Sequence, residues 1–158
     1  MFQIRQLSRA DVDWVLHFLE ERWFSTRIVR RGGVVHADRL PGFIALKDGK
    51  AVGLVTYRID DHECEIVTLD SLVEGMGIGS ALIGAVKASA VSAKCDRIWL
   101  ITTNDNLSAL RFYQKRGFVL VALYPNAVEQ SRKLKPEIPL IGAQGIPLRD
   151  EIEIEMLL

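Results

Sequence analysis

Three glycines alternate with other residues in one short segment of the chain, which consists of Glu74, Gly75, Met76, Gly77, Ile78, Gly79 and Ser80. The segment lies between a run of strand character and an apolar run of helical character. A helix start exposes backbone N–H groups without internal partners, and the helix dipole adds partial positive charge there. Glycines allow that backbone to approach an anion closely. The segment therefore predicts a diphosphate site, and a tight turn that packs helix against strand is the alternative.

The loop lacks the residues of two common nucleotide motifs. A P-loop needs Lys before its final Ser or Thr, whereas Gly79 precedes Ser80 here. The dinucleotide fingerprint needs Gly or Ala at position 80 or 82, and these positions hold Ser80 and Leu82. Nucleotide hydrolysis and NAD chemistry are therefore disfavoured.

Acidic residues precede the loop on the predicted strand that leads to it. Glu63 and Glu65 alternate with Val67 and Leu69. We therefore expect the glutamate side chains to share a face with Leu69, with Asp70 on the opposite face. A carboxylate there could take a proton from an ammonium group, directly or through water. A solvated, charged strand end is the alternative.

A tyrosine stands on a later predicted helix, for which Asn104, Asp105 or Asn106 is the expected N-cap. Helical spacing places Asn106 and Tyr113 on one side. A phenol with a pKa of about 10 can protonate a departing thiolate of comparable basicity. An amphipathic tyrosine, with its ring in the core and its hydroxyl at the rim, is the alternative.

The histidines and cysteines do not indicate a metal site. His17, His36 and His62 show no ligand spacing with one another or with cysteine. Cys64 and Cys95 lack a Cys-x-x-Cys pattern and lie among apolar neighbours, which favours inert thiols in a reducing compartment. We therefore predict no metal.

Composition limits the class of protein that carries these residues. The length of 158 residues suits one domain, which we assign to residues 1–158. A hydrophobic share of 49% excludes disorder and a disulfide scaffold. Twenty Lys and Arg balance twenty Asp and Glu, which argues against nucleic acid or an anionic membrane as a partner. No apolar run approaches the roughly 18 residues of a membrane span, so we expect a cytoplasmic protein.

Hydrophobic periodicity and turn signals predict the element order β-α-α-β-β-β-α-β-α-β-β. Asp48-Gly49 predicts a hairpin turn, and Gly32-Gly33 is expected to end the second helix. A Pro-bearing connection, residues 125–147, precedes the last strand. Antiparallel hairpins followed by a helical crossover predict an α/β (α+β) fold. Its central sheet should be mixed and mostly antiparallel, with helices on both faces.

Two motifs together resemble the GNAT N-acetyltransferase superfamily. The loop is similar to the family pattern Arg/Gln-x-x-Gly-x-Gly/Ala, with Glu74 at the Arg or Gln position. Residues 106–118 match the second pattern, Asn-x-x-Ala-x-x-Phe-Tyr-x-x-x-Gly-Phe, in full. The predicted element order also resembles the GNAT fold over nearly the whole chain.

The resemblance implies that acetyl-CoA is a co-substrate and that its acetyl group passes to a primary amine by direct attack in a ternary complex. Backbone N–H groups of the loop would hold the pyrophosphate, and the end of the preceding strand would pair with the pantetheine arm. The Leu69 N–H would donate to the thioester oxygen. Tyr113 would be the general acid, and Glu63 or Glu65 the general base. The cofactor-binding residues implied are Leu69, Asp70, Ser71, Glu74, Gly75, Met76, Gly77, Ile78, Gly79, Ser80, Asn106 and Tyr113.

By the same resemblance, the acceptor would lie between residues 21–40 and residues 125–147. Both segments are basic, through Arg22, Arg27, Arg30, Arg31, Arg39, Arg132, Lys133 and Lys135. One hypothesis is an acceptor that carries an anionic group as well as its amine. Solvated loop charge is the alternative explanation, and a peptide N-terminus is the other acceptor class.

Two further functions stay open. A non-catalytic acyl-CoA-binding sensor is the alternative to the enzyme, and Glu74 is the feature that favours it. A nucleotide-binding regulatory domain is disfavoured by the missing motif residues. Homodimers are common in the family, which makes a homodimer one option for the assembly.

Overall fold

The computed structural model describes all 158 residues, which form two compact units. The first unit contains residues 1–28, 36–98 and 158, and the second contains residues 29–35 and 99–157. The assignment of the whole chain to a single domain stays a prediction.

In chain order the helices and strands are β1 (Gln3–Gln6), α1 (Val12–Trp23), β2 (Arg27–Arg30), β3 (Gly33–His36), β4 (Gly42–Lys47), β5 (Lys50–Asp60), β6 (Glu63–Ser71), α2 (Ile78–Ser92), β7 (Arg97–Thr103), α3 (Leu107–Gln114), β8 (Val119–Tyr124), α4 (Ala127–Leu134) and β9 (Glu151–Leu157). Seven strands belong to a mostly antiparallel sheet, accompanied by four α-helices. The predicted mixed α/β class is confirmed. None of the helices combines the length and the apolar character that crossing a bilayer requires.

In the first unit the strands are ordered β1-β4-β5-β6, and each neighbouring pair is antiparallel. Asp48 and Gly49 join β4 to β5 with φ angles of 50° and 74°. A type I′ turn requires these left-handed values, so the predicted hairpin is confirmed. The turn places Lys47 at the end of the sheet where β6 runs out.

Helices α1 and α2 cover opposite faces of β5 and β6. Gly53 faces α2, because a Cβ atom built there would lie 2.8 Å from Ile78 Cγ2. Asp70 pairs with Leu54, the neighbour of Gly53. The Asp70 side chain faces α1, since Trp23 Nε1 donates to its Oδ2 at 2.7 Å. Successive side chains of a strand point to opposite faces, so the prediction of helices on both faces is confirmed.

In the second unit the strands are ordered β7-β9-β8, and β8 and β9 are antiparallel. The Asn106 side chain accepts a hydrogen bond from the Ala109 N–H at 3.2 Å, which selects Asn106 among the three predicted caps of α3. Gly117, with φ of 95°, takes the left-handed conformation that commonly follows the end of a helix, here α3. Phe118 follows it into the core and is 2% exposed.

The second predicted helix is wrong, because residues 27–36 form the two short strands β2 and β3. Arg31 and Gly32 have φ angles of 51° and 68°, which suit a tight hairpin turn and not a helix. The tip is held by its backbone, since the Arg31 N–H donates to Glu151 Oε1 at 2.8 Å. Glu151 is buried, at 2% exposure. The connection predicted at residues 125–147 contains a helix, α4, that the polar sequence did not indicate.

Candidate active site

The glycine loop forms the start of α2 through two left-handed residues. Gly75 and Gly77 have φ angles of 78° and 77°, and Gly77 is the N-cap of the 15-residue helix. A Cβ atom built at either glycine would meet no other atom within 4 Å. The space beside both glycines, immediately before the first turn of α2, is therefore open. This geometry suits the predicted binding of an anion at a helix N-terminus.

A lysine that the sequence reasoning missed lies beside this loop. Lys47 Nζ is 3.7 Å from Met76 Sδ, and Glu74 in the same loop is exposed. Lys47 thus brings positive charge to a loop whose own charged side chain is acidic. The Asp48-Gly49 turn could have indicated the position of Lys47, because the hairpin places the end of β4 at the same end of the sheet as the loop.

The backbone of β6 directs one N–H group away from its neighbour β5. The Leu72 N–H donates to the Val52 carbonyl at 2.8 Å. In an antiparallel ladder, hydrogen-bonded pairs alternate with pairs that are not hydrogen-bonded. The pair of Leu69 with Val55 is of the second kind, so the Leu69 N–H points to the far side of β6. This is the N–H that the resemblance implied as the donor to a thioester oxygen.

The pairing of β5 with β6 slips by one residue at Val67. Thr56 pairs with Thr68 and their hydroxyls are 2.6 Å apart, while Arg58 pairs with Glu65 and donates to it at 2.9 Å. Thr56 and Arg58 are two residues apart on β5 and share a face. Thr68 and Glu65 must share that face although they are three residues apart, so Val67 is the extra residue of a β-bulge. The side chains on this face are Glu63, Glu65, Thr68 and Asp70.

The bulge corrects the predicted geometry of the carboxylates. The glutamates were expected to share a face with Leu69 and to lie opposite Asp70, and this expectation is wrong. The extra residue reverses the alternation, so Glu63 and Glu65 lie on the α1 face together with Asp70, and Leu69 lies on the α2 face. The three acidic side chains of β6 therefore lie on one side of the sheet.

The two glutamates are engaged in ion pairs with arginine. Arg97 donates to both carboxylate oxygens of Glu63, at 3.0 Å and 3.3 Å. Glu65 is 2% exposed and accepts from Arg58. Both carboxylates are therefore already bound by a cation of the protein.

Asp70 has a different environment. Its side chain is 11% exposed, accepts from the Trp23 indole at 2.7 Å, and lies 3.6 Å from the Arg22 Nε atom. Burial raises the pKa of the Asp70 carboxyl, and the Trp23 hydrogen bond and the Arg22 charge oppose that shift without cancelling it. Asp70 is thus a largely but not fully buried carboxylate with a raised pKa, at the strand end that leads into the glycine loop.

In the second unit, Tyr113 is the buried centre of an aromatic cluster. It is 7% exposed, and its ring makes edge contacts with Phe112 at 5.1 Å and with Phe118 at 5.2 Å between centroids. Asn106 is exposed, and its side-chain oxygen caps α3. The ring of Tyr113 is therefore fixed by packing, as a group that acts through its hydroxyl requires.

The arginines of the two basic segments, residues 21–40 and 125–147, make different contacts. The Arg132 guanidinium donates to the carbonyl of Leu148 and also to those of Ile138 and Pro139, at 3.3 Å and 2.9 Å. Arg31 stacks on the Tyr124 ring, 3.3 Å from its centroid. Arg132 thus holds the connection together, which weighs against its use for an anionic acceptor. No group of three or more His, Cys, Asp or Glu side chains is arranged to hold a metal ion.

The sequence model of the acetyltransferase (GNAT) family matches residues 5–118. The uncharacterized protein YdhI of Bacillus subtilis (strain 168) is 48% identical over 136 residues, which cover 85% of each chain.

Two solved structures share the fold. An IAA acetyltransferase from Bacillus cereus ATCC 14579 superposes with a TM-score of 0.75 and 22% identity, over 100% of both chains. A GNAT family acetyltransferase from Elizabethkingia anophelis, with acetyl-CoA bound, gives a TM-score of 0.70 and 18% identity, over 99% of this chain and 98% of its own. The match to the acetyltransferase family model does not favour the non-catalytic sensor.

Proposed function

This chain belongs to the GNAT acetyltransferase family, and we propose that it is an acetyl-CoA-dependent N-acetyltransferase whose acceptor is a primary amine of a small molecule or a peptide. One observation carries the proposal. The end of β6 directs the Leu69 N–H away from β5, and the N-terminus of α2 follows after residues 72–77. The first is suited to a carbonyl oxygen and the second to a diphosphate.

The loop and its neighbours would bind the CoA moiety. Backbone N–H groups from Gly75 to Ser80 would hold the pyrophosphate, because Gly75 and Gly77 leave open space at a helix N-terminus, where the dipole favours negative charge. Lys47 adds a cation beside Met76, which offsets Glu74 in the same loop. The backbone of residues 69–71 would pair with the extended pantetheine arm as an added strand does.

Two groups of the chain would act on the thioester. The Leu69 N–H is fixed by the ladder before charge develops on the thioester oxygen, which is the condition for effective stabilisation. The Tyr113 hydroxyl would donate its proton to the sulfur as the C–S bond breaks, because a phenol and a thiol are acids of similar strength.

A thiol-release assay tests the proposal. Purified protein is mixed with acetyl-CoA, DTNB and one of three probe amines: spermidine, benzylamine or the peptide Ser-Ala-Ala-Phe. Cys64 and Cys95 are buried, and burial raises the pKa of the Cys64 thiol to about 12. The folded protein should therefore contribute little signal of its own. We expect CoA to raise the melting temperature and at least one amine to accelerate thiol release.

The competing functions give other results. Stabilisation by CoA without release of thiol by any probe amine would indicate the sensor. Stabilisation by ATP or NAD but not by CoA would indicate a nucleotide-binding domain and would contradict the proposal.

A further inference from the structure

We propose that the Asp70 carboxylate binds the ammonium group of the acceptor and removes its proton before acetyl transfer. This inference rests on the proposed function, and it assigns the base to Asp70 instead of Glu63 or Glu65, which the sequence pattern had placed on the wrong side of β6. Its evidence is the position of Asp70 relative to Leu69, its distance from the two glutamates, and its partners on α1.

Asp70 immediately follows the residue whose N–H is directed away from β5. Consecutive Cα atoms are about 3.8 Å apart, so a carbonyl oxygen held by the Leu69 N–H lies one residue from the Asp70 side chain. That side chain points to the α1 face, whereas the side chain of Leu69 points to the α2 face. An amine that approaches over the α1 face would therefore meet the carboxylate next to the carbon it attacks.

The glutamates on the same face are further from that carbon. Asp70 pairs with Leu54, whereas Glu65 pairs with Arg58 and Glu63 with Asp60. At about 3.3 Å per strand residue, Glu65 lies about 13 Å and Glu63 about 20 Å along the strand from Asp70. Neither glutamate can take the proton directly from an amine at the Leu69 N–H, and both are paired with arginine.

The partners of Asp70 orient the carboxylate and leave it basic. Trp23 donates to Oδ2 at 2.7 Å, and Arg22 lies 3.6 Å from Oδ1. The other charged groups on this face are Glu65 and Glu63 along β6, Arg58 and Asp60 on β5, Arg5 on β1, and Arg97, which binds Glu63. Burial raises the pKa of Asp70 despite the Trp23 and Arg22 contacts. A base with a raised pKa is better matched to an alkylammonium group.

Atoms, protons and electron pairs balance in the proposed step. The ammonium group gives one proton to an Asp70 oxygen, and the neutral nitrogen forms a bond to the thioester carbonyl carbon. The C–S bond breaks, and the sulfur leaves with the bonding electron pair and takes a proton. The nitrogen loses its second proton to solvent, so the products are the N-acetyl amine and CoA.

The experiment compares nucleophiles that need a base with one that does not. Thiol release is measured at pH 7 with the fastest of the three probe amines and with hydroxylamine, which is already neutral at that pH. For Asp70→Asn we expect kcat/KM with the amine to fall by about 10²-fold or more, and the rate with hydroxylamine to change far less. CoA affinity, measured by calorimetry, should stay within about 2-fold and shows that the variant is folded. Asp13→Asn, an exposed carboxylate on α1, is the control.

A second variant separates proton transfer from a purely structural role. Trp23→Phe removes the N–H that stabilises the charged Asp70, so the acidic limb of the kcat/KM profile should move to higher pH. Asp70→Asn should remove that limb. If Asp70→Asn fails to bind CoA, the kcat/KM profile of Trp23→Phe against pH tests the inference instead. An acidic limb at the same pH as in the wild type would overturn it.

Failure of the inference and failure of the proposed function are distinguishable. If the wild-type protein releases thiol from no probe amine, the proposed function fails and this inference fails with it. If the wild type is active and Asp70→Asn slows the reactions with the amine and with hydroxylamine equally, or slows neither, only the role of Asp70 is overturned. A selective loss of the amine reaction in Glu65→Gln would assign the base to that glutamate instead.

Discussion

The hydroxyls of Thr56 and Thr68 form a hydrogen bond of 2.6 Å inside the sheet, immediately before the strand pairing slips at Val67. Both residues are at most 1% exposed. The bond joins the last regular pair before the bulge, and so it helps to set which side chains of β6 face α1. The position of Asp70 thus depends on a polar contact that has no part in the chemistry.

We predict that Thr68→Val lowers the free energy of unfolding by about 1–3 kcal/mol, because the Thr56 hydroxyl is left buried without a partner. The double variant Thr56→Val/Thr68→Val should recover part of that loss, since removal of both polar groups leaves none unsatisfied. Urea denaturation of the two single variants and the double variant measures this. Additive losses would mean that the hydroxyls do not stabilise each other.

The glycine loop gives a prediction with a matched control on the same helix. Gly77→Ala should cost about 1–2 kcal/mol of stability, because alanine is strained at a φ of 77°. It should also weaken CoA binding measured by calorimetry. Gly84 is exposed in α2 and has open space around it. Gly84→Ala should therefore stabilise the protein by about 0.5–1 kcal/mol and leave CoA binding unchanged. Equal CoA affinities for both variants would argue against the loop as the binding site.

Tyr113→Phe should lower kcat for thiol release by about 10²-fold or more, with CoA affinity retained. The ring stays in contact with Phe112 and Phe118, so only the hydroxyl is lost. Tyr124→Phe is the matched control, because its hydroxyl donates to Glu153 at 3.0 Å and has no proposed role in transfer. Unchanged kcat in Tyr113→Phe would remove the tyrosine from the mechanism.

Arg132→Ala should destabilise the protein by about 1.5–3 kcal/mol in urea denaturation, since its guanidinium bonds several backbone carbonyls. Its neighbour Lys133 is exposed, so Lys133→Ala should have little effect. A higher KM for the amine in Arg132→Ala, without any loss of stability, would restore the hypothesis that Arg132 binds an anionic acceptor.

The start of α1 predicts how stability depends on pH. Arg5 donates twice to Asp11 at 2.8 Å, and the Ser8 N–H donates to it at 2.7 Å. These contacts hold the pKa of Asp11 well below its usual range. The folded-state pKa is thus lower than the unfolded value of about 3.9. The ionised carboxylate stabilises the fold above that pH, and the stabilisation is lost as the pH falls further.

Asp11→Asn should therefore lose about 1–2 kcal/mol at pH 7 and show a shallower decline of stability between pH 5 and pH 3 than the wild type. Thermal denaturation across that range measures the slope. Parallel profiles for the two proteins would show that Asp11 does not contribute through its charge.

Turns and helix caps that depend on a few consecutive residues were predicted correctly from the sequence. The Asp48-Gly49 turn and the Asn106 cap depend on neighbouring residues only, and both are confirmed. Residues 27–36 were misread because Gly32-Gly33 suits a helix end as well as a turn. The hairpin is instead fixed by Glu151, which is remote in sequence.

The bulge at Val67 could not be predicted for a similar reason. Nothing in the local sequence distinguishes Val67 from a regular strand residue, and the slip exists only in the register with β5. One extra residue was enough to move Glu63 and Glu65 to the face opposite Leu69, where Asp70 also lies. Motifs therefore located the candidate site in the chain, whereas the pairing of strands decided which carboxylates share a face of β6.

The buried Glu151 carboxylate holds the tip of the β2–β3 hairpin through the main-chain N–H of Arg31. Every amino acid except proline has that N–H, and Asn, Asp or Gly would tolerate the left-handed conformation there. Side chains at the tip can therefore diverge between orthologues without release of the anchor. Because the backbone and not a side chain anchors the tip, substitutions there could change what the tip contacts at little cost in folding.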